Sequence, residues 1–153
     1  MGPVLVDANL LLLLVVGSAD RRYIAIHKRL SGYTEADFEL LVEAISLFSD
    51  IVLVPHVLAE VSSLSRQVQD PARSRIQEKF RDLVEMSGEV TVSSVDGVHR
   101  EEFLALGLTD AVMLHLCGAI DAALGLTLLT NDARLAVQAE MLGYDVLNFS
   151  HLR

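Results

Sequence analysis

The first apolar segment of the chain, Val4–Val6, places the strongest constraint on the fold. Three consecutive apolar residues, two of them β-branched, are typical of a strand that is buried on both faces and lies inside a sheet. The apolar residues 10–16 follow without a period of two, which predicts a buried helix packed back on this strand. Asp7 separates the two elements. The sequence therefore predicts a carboxylate at the carboxyl end of a central strand, where open α/β sheets bind ligands.

The remaining sequence predicts four more strands, each separated from the next by at least one helix. The strands are predicted at residues 51–54, 89–95, 126–130 and 144–147. Helices are predicted at residues 21–30, 34–48, 55–68, 71–86, 98–106, 108–123 and 133–142. Every connection between strands is long enough for a parallel crossover, so the pattern predicts an α/β fold.

Length and composition agree with one domain of this class over residues 1–153. The chain is 52% hydrophobic and has no Trp, so Leu, Val, Ile and Ala must build the core, which suits helices packed on a parallel sheet. The single cysteine, Cys117, cannot form an intrachain disulfide, and we therefore expect a cytoplasmic protein. Residues 10–16 are far fewer than the ~20 apolar residues that span a bilayer, so we expect no membrane segment there.

The charge distribution leaves two interpretations open. A net charge of -9 argues against indiscriminate binding of nucleic acids. Nevertheless, nine of the twelve Lys and Arg residues lie within residues 21–29 and 66–81. These basic segments are either solvated helix faces or two rims that bind the phosphates of a substrate. In the second interpretation, the candidate substrate-binding residues are Arg21, Arg22, Arg73 and Arg75.

Four acidic residues stand at or near predicted strand ends. Asp7 and Asp132 follow the first and fourth strands, Glu60 lies in the helix after the second strand, and Asp110 lies in the first turn of a buried helix. Taken singly, each has an ordinary explanation as a helix cap, a favourable charge at a helix start or a partly exposed residue. In a parallel sheet, however, positions that follow strands share one edge. We therefore expect Asp7, Glu60 and Asp132 to lie together, with Asp110 nearby.

Four neighbouring carboxylates repel one another unless a cation neutralises them. Oxygen ligands alone favour the hard divalent ions Mg²⁺ or Mn²⁺. Such an ion assists phosphoryl chemistry by activating water, so no protein nucleophile is needed. Another acid, Asp121, shares a predicted helix with Asp110 but lies eleven residues further along, and we expect it to be solvated instead of binding the ion.

Four segments that carry these acids resemble, in order, the acidic motifs of the PIN domain nucleases. The segments are residues 4–9, 54–60, 107–111 and 128–132. The resemblance covers nearly the whole chain. It implies a three-layer fold whose five-stranded parallel sheet has the strand order 3-2-1-4-5, with the first strand at the centre.

The resemblance also implies a function. Asp7, Glu60, Asp110 and Asp132 would hold Mg²⁺ or Mn²⁺ for the hydrolysis of single-stranded RNA. The supporting polar residues would be Asn9, Thr130 and Asn131. Small prokaryotic members are often toxins, so an antitoxin and a second copy of the chain are expected partners besides RNA.

Two other functions stay open at this point. One is a catalytically silent PIN-like adaptor that binds RNA or protein. The other is a phosphatase with an Asp nucleophile after the first strand. In such phosphatases a second acid usually stands two residues after the nucleophile, whereas this chain has Asn9 there. The phosphatase is therefore the weaker of the two alternatives.

Overall fold

The fold is built on one parallel β-sheet. The computed structural model describes residues 1–120 and 122–153, and for residue 122 the backbone alone; Asp121, predicted to be solvated, lies outside the described residues. All strands run parallel in the order β3-β2-β1-β4-β5, which confirms both the α/β fold and the strand order. The strands are Val4–Val6 (β1), Ile51–Leu53 (β2), Gly88–Glu89 (β3), Thr127–Thr130 (β4) and Asp145–Asn148 (β5).

Helices flank the sheet, with short 3-10 turns at Lys28–Leu30, Ala122–Leu124 and Phe149–His151. The α-helices among the described residues are Ala8–Ala19 (α1), Tyr23–Ile26 (α2), Glu35–Ile45 (α3), Pro55–Ser65 (α4), Ala72–Met86 (α5), Ser94–Val98 (α6), Phe103–Leu106 (α7), Leu108–Ala119 (α8) and Ala133–Met141 (α9). Helix α1 packs against α2, α3, α4 and α5, whereas α8 packs against α6 and α7. Helix α9 lies against β4 and β5.

Strand β1 is central because its residues are apolar on both faces. Its three residues are at most 1% exposed, and the strand pairs with β2 on one side and β4 on the other. The main-chain N–H of Asp7 continues the pairing by donating to the carbonyl of Leu129, with an N···O distance of 3.0 Å. The sheet therefore fixes Asp7 at its carboxyl edge between β1 and β4.

Helix α1 is buried around most of its circumference. Leu10, Leu11, Leu12 and Leu13 have no exposed surface. A helix that is apolar on nearly every side requires cover from several neighbours, and α2 to α5 supply it. Among the described residues, no helix combines the length and apolar character needed to cross a bilayer.

The prediction of a strand at residues 89–95 was wrong in extent. Strand β3 comprises only Gly88 and Glu89, and one further main-chain bond joins Val90 N to Leu53 O at 2.8 Å. An edge strand pairs on one side only, so fewer hydrogen bonds hold the chain in extended conformation. Ser93 then precedes α6, whose first turn contains Asp96, so a helix start replaces the end of the predicted strand.

The helices predicted at 34–48 and 55–68 end three residues earlier, at Ile45 and Ser65, and three other predicted helices differ more. The single helix expected at residues 98–106 is replaced by α6 and α7. Between them, the guanidinium group of Arg100 binds the carboxylate of Glu102 through two hydrogen bonds of 3.1 Å. The helix predicted at 21–30 is divided into α2 and a 3-10 turn, with His27 in extended conformation between them. Helix α8 ends at Ala119 instead of continuing to residue 123, because Ile120 is extended.

Candidate functional site

One pocket of about 400 Å³ at the carboxyl edge of the sheet contains all four predicted carboxylates. Asp7 enters it from the end of β1 and Glu60 from α4. Asp110 enters it from the first turn of α8, and Asp132 from the start of α9. Asn9, predicted as a supporting residue, also lines the pocket. Residues far apart in the sequence therefore contribute to one acidic cavity.

Asp7 is both a helix cap and a lining residue of this pocket. The residue is 5% exposed. Oδ1 accepts a hydrogen bond from the main-chain N of Leu10 at 3.0 Å, which caps α1. Oδ2 accepts one from the main-chain N of Asn131 at 3.0 Å and another from the hydroxyl of Thr130. These donors fix the orientation of the carboxylate with respect to the pocket.

Thr130 connects Asp7 with the segment that carries Asp132. The hydroxyl oxygen of Thr130 accepts a hydrogen bond from Asp132 N at 3.0 Å, while its proton is donated to Asp7. Thr130 itself is fully buried. Asp132 Oδ1 accepts hydrogen bonds from Arg134 N at 2.9 Å and Leu135 N at 3.1 Å, so it caps α9. The predicted supporting residues Thr130 and Asn131 thus contact Asp7 directly.

The surroundings raise the pKa values of three of these carboxylates. For Asp110, burial and then the charges of Asp132, Asp7 and Glu60 raise the pKa to about 7. For Asp7, burial raises the pKa more than hydrogen bonds from Thr130, Leu10 and Asn131 lower it. For Glu60, partial loss of hydration and then the charge of Asp7 raise the pKa. The folded chain therefore stabilises negative charge poorly in this pocket.

The donor set suits a hard divalent cation. The titratable side chains in the pocket are all carboxylates, and their oxygens are the ligands that Mg²⁺ and Mn²⁺ prefer. A cation would relieve the repulsion that raises the pKa of Asp110. Within residues 1–120 and 122–153, no three acidic, His or Cys side chains are grouped closely enough to surround an ion as they stand. The chain thus offers a pocket with suitable ligands but not a closed metal cage.

None of the four arginines predicted to bind substrate lines this pocket. Their side chains make other contacts within the protein. The partners are Glu39 for Arg21, Asp20 for Arg22, the carbonyl oxygens of Arg66 and Val68 for Arg73, and the hydroxyl of Tyr23 for Arg75. Their role in substrate binding stays a prediction.

Two further residues close to the site were not predicted from the sequence. Arg134 is exposed at the start of α9, and its charge lowers the pKa of Asp110. Its position two residues after Asp132 in the sequence could have indicated that it lies near the site. Tyr33 is half-buried, and its hydroxyl oxygen accepts a hydrogen bond from Asn131 Nδ2 at 2.9 Å. No local pattern marked Tyr33, because its partner lies 98 positions away in the sequence.

No family model matches the sequence, and no curated protein or solved structure matches the chain. The resemblance to the PIN domain nucleases therefore depends on the four acidic motifs. The chemistry of the pocket is the other basis for a functional proposal.

Proposed function

We propose that this protein is a Mg²⁺- or Mn²⁺-dependent endoribonuclease that hydrolyses phosphodiester bonds of single-stranded RNA. The observation that carries the proposal is the convergence of four carboxylates, from four separate elements of the fold, on one pocket at the carboxyl edge of the sheet. Two of these carboxylates cap helices and are held by main-chain donors, so their position is defined by the fold.

Asp7, Glu60, Asp110 and Asp132 would hold the ion. When bound in such a site, the ion polarises a phosphodiester and activates a water molecule for attack. Asp7 presents a carboxylate oriented by its hydrogen bonds to Leu10, Thr130 and Asn131. Asp110, with a pKa of about 7, must lose its proton before it binds a cation.

Asp7 is poorly suited to act as a nucleophile, which argues against the phosphatase alternative. Both of its carboxylate oxygens accept hydrogen bonds, and the residue is 5% exposed. Cys117 is no better suited, because burial raises the pKa of its thiol to about 12, and it does not line the acidic pocket. Water is therefore the nucleophile in the proposed reaction.

Several parts of the proposal come from the resemblance to PIN domain nucleases. They are the preference for single-stranded RNA, a role as a toxin with an antitoxin partner, and assembly into a homodimer. The high net negative charge, -9, means that RNA binding must depend on local basic groups. Arg134, an exposed cation whose charge acts on Asp110, is our candidate for contacting a phosphate next to the pocket.

The test is incubation of the purified protein with end-labelled single-stranded RNA, with the same RNA as a duplex and with single-stranded DNA. Each substrate is tested with Mn²⁺, with Mg²⁺ and with excess EDTA. We expect internal cleavage of single-stranded RNA. Excess EDTA should abolish this cleavage, and the Asp7→Asn variant should lack it. The matched control is Asp82→Asn, which changes an exposed acid on α5 and should leave cleavage intact.

Other outcomes would replace the proposal. RNA binding without cleavage in either metal would favour the adaptor. Release of inorganic phosphate from monoesters, with a phosphorylated form of Asp7, would favour the phosphatase. Undiminished RNA cleavage in EDTA would exclude the metal-dependent mechanism.

A further inference from the structure

A hydrogen-bonded path leads from the metal-site carboxylate Asp7 to Tyr33. The main-chain N of Asn131 donates to Asp7 Oδ2 at 3.0 Å, and its side-chain Nδ2 donates to the hydroxyl oxygen of Tyr33 at 2.9 Å. Asn131 Oδ1 is buried and has no hydrogen-bond partner among the described residues. The contact with Tyr33 is therefore what fixes the Asn131 amide, one residue before the site carboxylate Asp132.

Tyr33 is itself held firmly. Its main-chain N donates to the carbonyl of Leu30 at 3.0 Å. The guanidinium group of Arg153 lies 5.2 Å from the centre of the Tyr33 ring and donates to Gly32 O at 2.7 Å. The same guanidinium group donates to both carboxylate oxygens of Asp37, each at 3.0 Å. The ring is thus clamped from one side and bonded to Asn131 at its hydroxyl.

Asp37 connects Arg153, and so the contact on the Tyr33 ring, to the start of helix α3. It closes the capping box of α3 by accepting a hydrogen bond from Thr34 N at 2.9 Å. The residue is 7% exposed, and its carboxylate also accepts the two hydrogen bonds from Arg153. Tyr33 therefore connects a rigid helix start with the segment that orients Asp7.

We propose that Tyr33 is a positioning residue of the divalent-metal site and acts through Asn131 on the orientation of Asp7. The inference rests on the metal site described under the proposed function. Removing a group that holds a metal ligand in place typically lowers metal affinity by 10–100-fold. Loss of the Tyr33 hydroxyl frees the Asn131 amide, and the main-chain donor to Asp7 loses its fixed position.

Tyr33→Phe isolates this role, because it removes the hydroxyl and keeps the ring on which Arg153 stacks. Tyr23→Phe is a matched control. The Tyr23 hydroxyl also accepts a hydrogen bond, from Arg75 Nη1 at 3.0 Å, and Tyr23 is half-buried like Tyr33. None of the hydrogen bonds that Tyr23 makes with the described residues involves a residue that lines the acidic pocket.

The experiment measures Mn²⁺ binding to the full chain from the electron paramagnetic resonance signal of free Mn²⁺. We expect Tyr33→Phe to bind Mn²⁺ about tenfold more weakly than wild type, and Tyr23→Phe to bind it equally well. Asn131→Ala should reproduce the loss. Adding Tyr33→Phe to Asn131→Ala should cause no further loss, because the path runs through Asn131. RNA cleavage by Tyr33→Phe should return to the wild-type rate when Mn²⁺ is raised tenfold.

Four results would overturn the inference. Wild-type Mn²⁺ affinity in Tyr33→Phe removes Tyr33 from the site, and full additivity in the double variant removes Asn131 from the path. If Tyr33→Phe does not fold, Asn131→Ala replaces it in the test, and wild-type Mn²⁺ affinity in Asn131→Ala would overturn the inference. Absence of Mn²⁺ binding in the wild type overturns the metal site and this inference together. Mn²⁺ binding without RNA cleavage overturns the nuclease alone and leaves the affinity comparison valid.

Discussion

The guanidinium group of Arg134 lies 3.1 Å from the carbonyl oxygen of Ala105, measured from Nη2. This hydrogen bond holds an exposed cation at the start of α9 against α7. The charge lowers the pKa of Asp110, although Arg134 does not line the acidic pocket itself. A phosphate group outside the pocket would therefore meet a positive charge that is already held in place.

The first prediction concerns this cation. We expect Arg134→Gln to weaken binding of single-stranded RNA roughly tenfold, the effect of losing one charge-assisted hydrogen bond. The pH at which cleavage is half-maximal should also rise, because Arg134 lowers the pKa of Asp110. Binding titrations and a pH profile of cleavage measure the two effects. Arg81→Gln, which removes an exposed arginine on α5, is the control for the pH profile, and an equal shift of the half-maximal pH in both variants would contradict the role of Arg134.

The second prediction concerns Thr130. Replacing Thr130 with Val keeps the shape but removes the hydroxyl that donates to Asp7 and accepts from Asp132 N. We expect the free energy of unfolding to fall by about 2 kcal/mol, because the buried Asp7 carboxylate loses a donor and the main-chain N of Asp132 loses its acceptor. Cleavage should fall about tenfold. Thr127→Val on the same strand is the control; similar losses in both variants would assign the effect to the strand instead of the site.

The third prediction is the pH dependence of stability in the absence of metal. The pKa of Asp110 is raised from 3.8 to about 7, so the folded state holds the proton more tightly than the unfolded state. Stability should therefore increase as the pH falls through 7 toward the unfolded-state value, and decrease as the pH rises through 7. The raised pKa values of Asp7 and Glu60 act in the same direction. Urea denaturation between about pH 8 and pH 5 measures this dependence, and a flat profile would contradict it.

The fourth prediction separates function from stability at Asp110. Asp110→Asn keeps the shape and removes one charge from the acidic pocket, so the metal-free protein should be about 1 kcal/mol more stable near neutral pH. Its stability should also depend less steeply on pH. The same variant should lose cleavage and show a smaller rise in Tm with Mn²⁺, since that rise measures binding to the folded state. A less stable but active variant would remove Asp110 from the site.

The fifth prediction tests the two basic segments. If they bind the substrate outside the pocket, replacing Arg21 and Arg22, or Arg73 and Arg75, with Ala should weaken RNA binding and flatten its salt dependence. Filter binding at several salt concentrations measures both effects. Unchanged affinity at low salt in both double variants would identify these arginines as structural, in keeping with their contacts inside the protein.

The central part of the fold was predictable because burial on both faces leaves a continuous apolar run. Val4–Val6 and the middle of β4 show this pattern, and both lie inside the sheet. The position of the acids followed from the same property, since parallel strands end at a common edge. Strand β3 lacked such a signal because it pairs on one side and its two residues are exposed.

The remainder of the site depends on contacts that leave no local pattern. Tyr33 reaches Asn131 across the molecule, and nothing near Tyr33 in the sequence indicates that partner. The same holds for Arg153, whose guanidinium group joins the Tyr33 ring to Asp37. Spacing predicts which acids meet at a sheet edge, whereas the groups that orient them become visible only after the chain is folded.

The hydrogen bond between Thr130 and Asp7 joins residues that are 123 positions apart. During translation, the second residue leaves the ribosome several seconds or more after the first, at roughly 5–20 residues per second. Until then Asp7 lacks the donors from β4 and the loop that follows it, and Asp132 is not yet present. The acidic pocket is therefore incomplete while most of the chain is being made, and the proposed cleavage activity can arise only after residues 130–132 have joined Asp7 at the edge of the sheet.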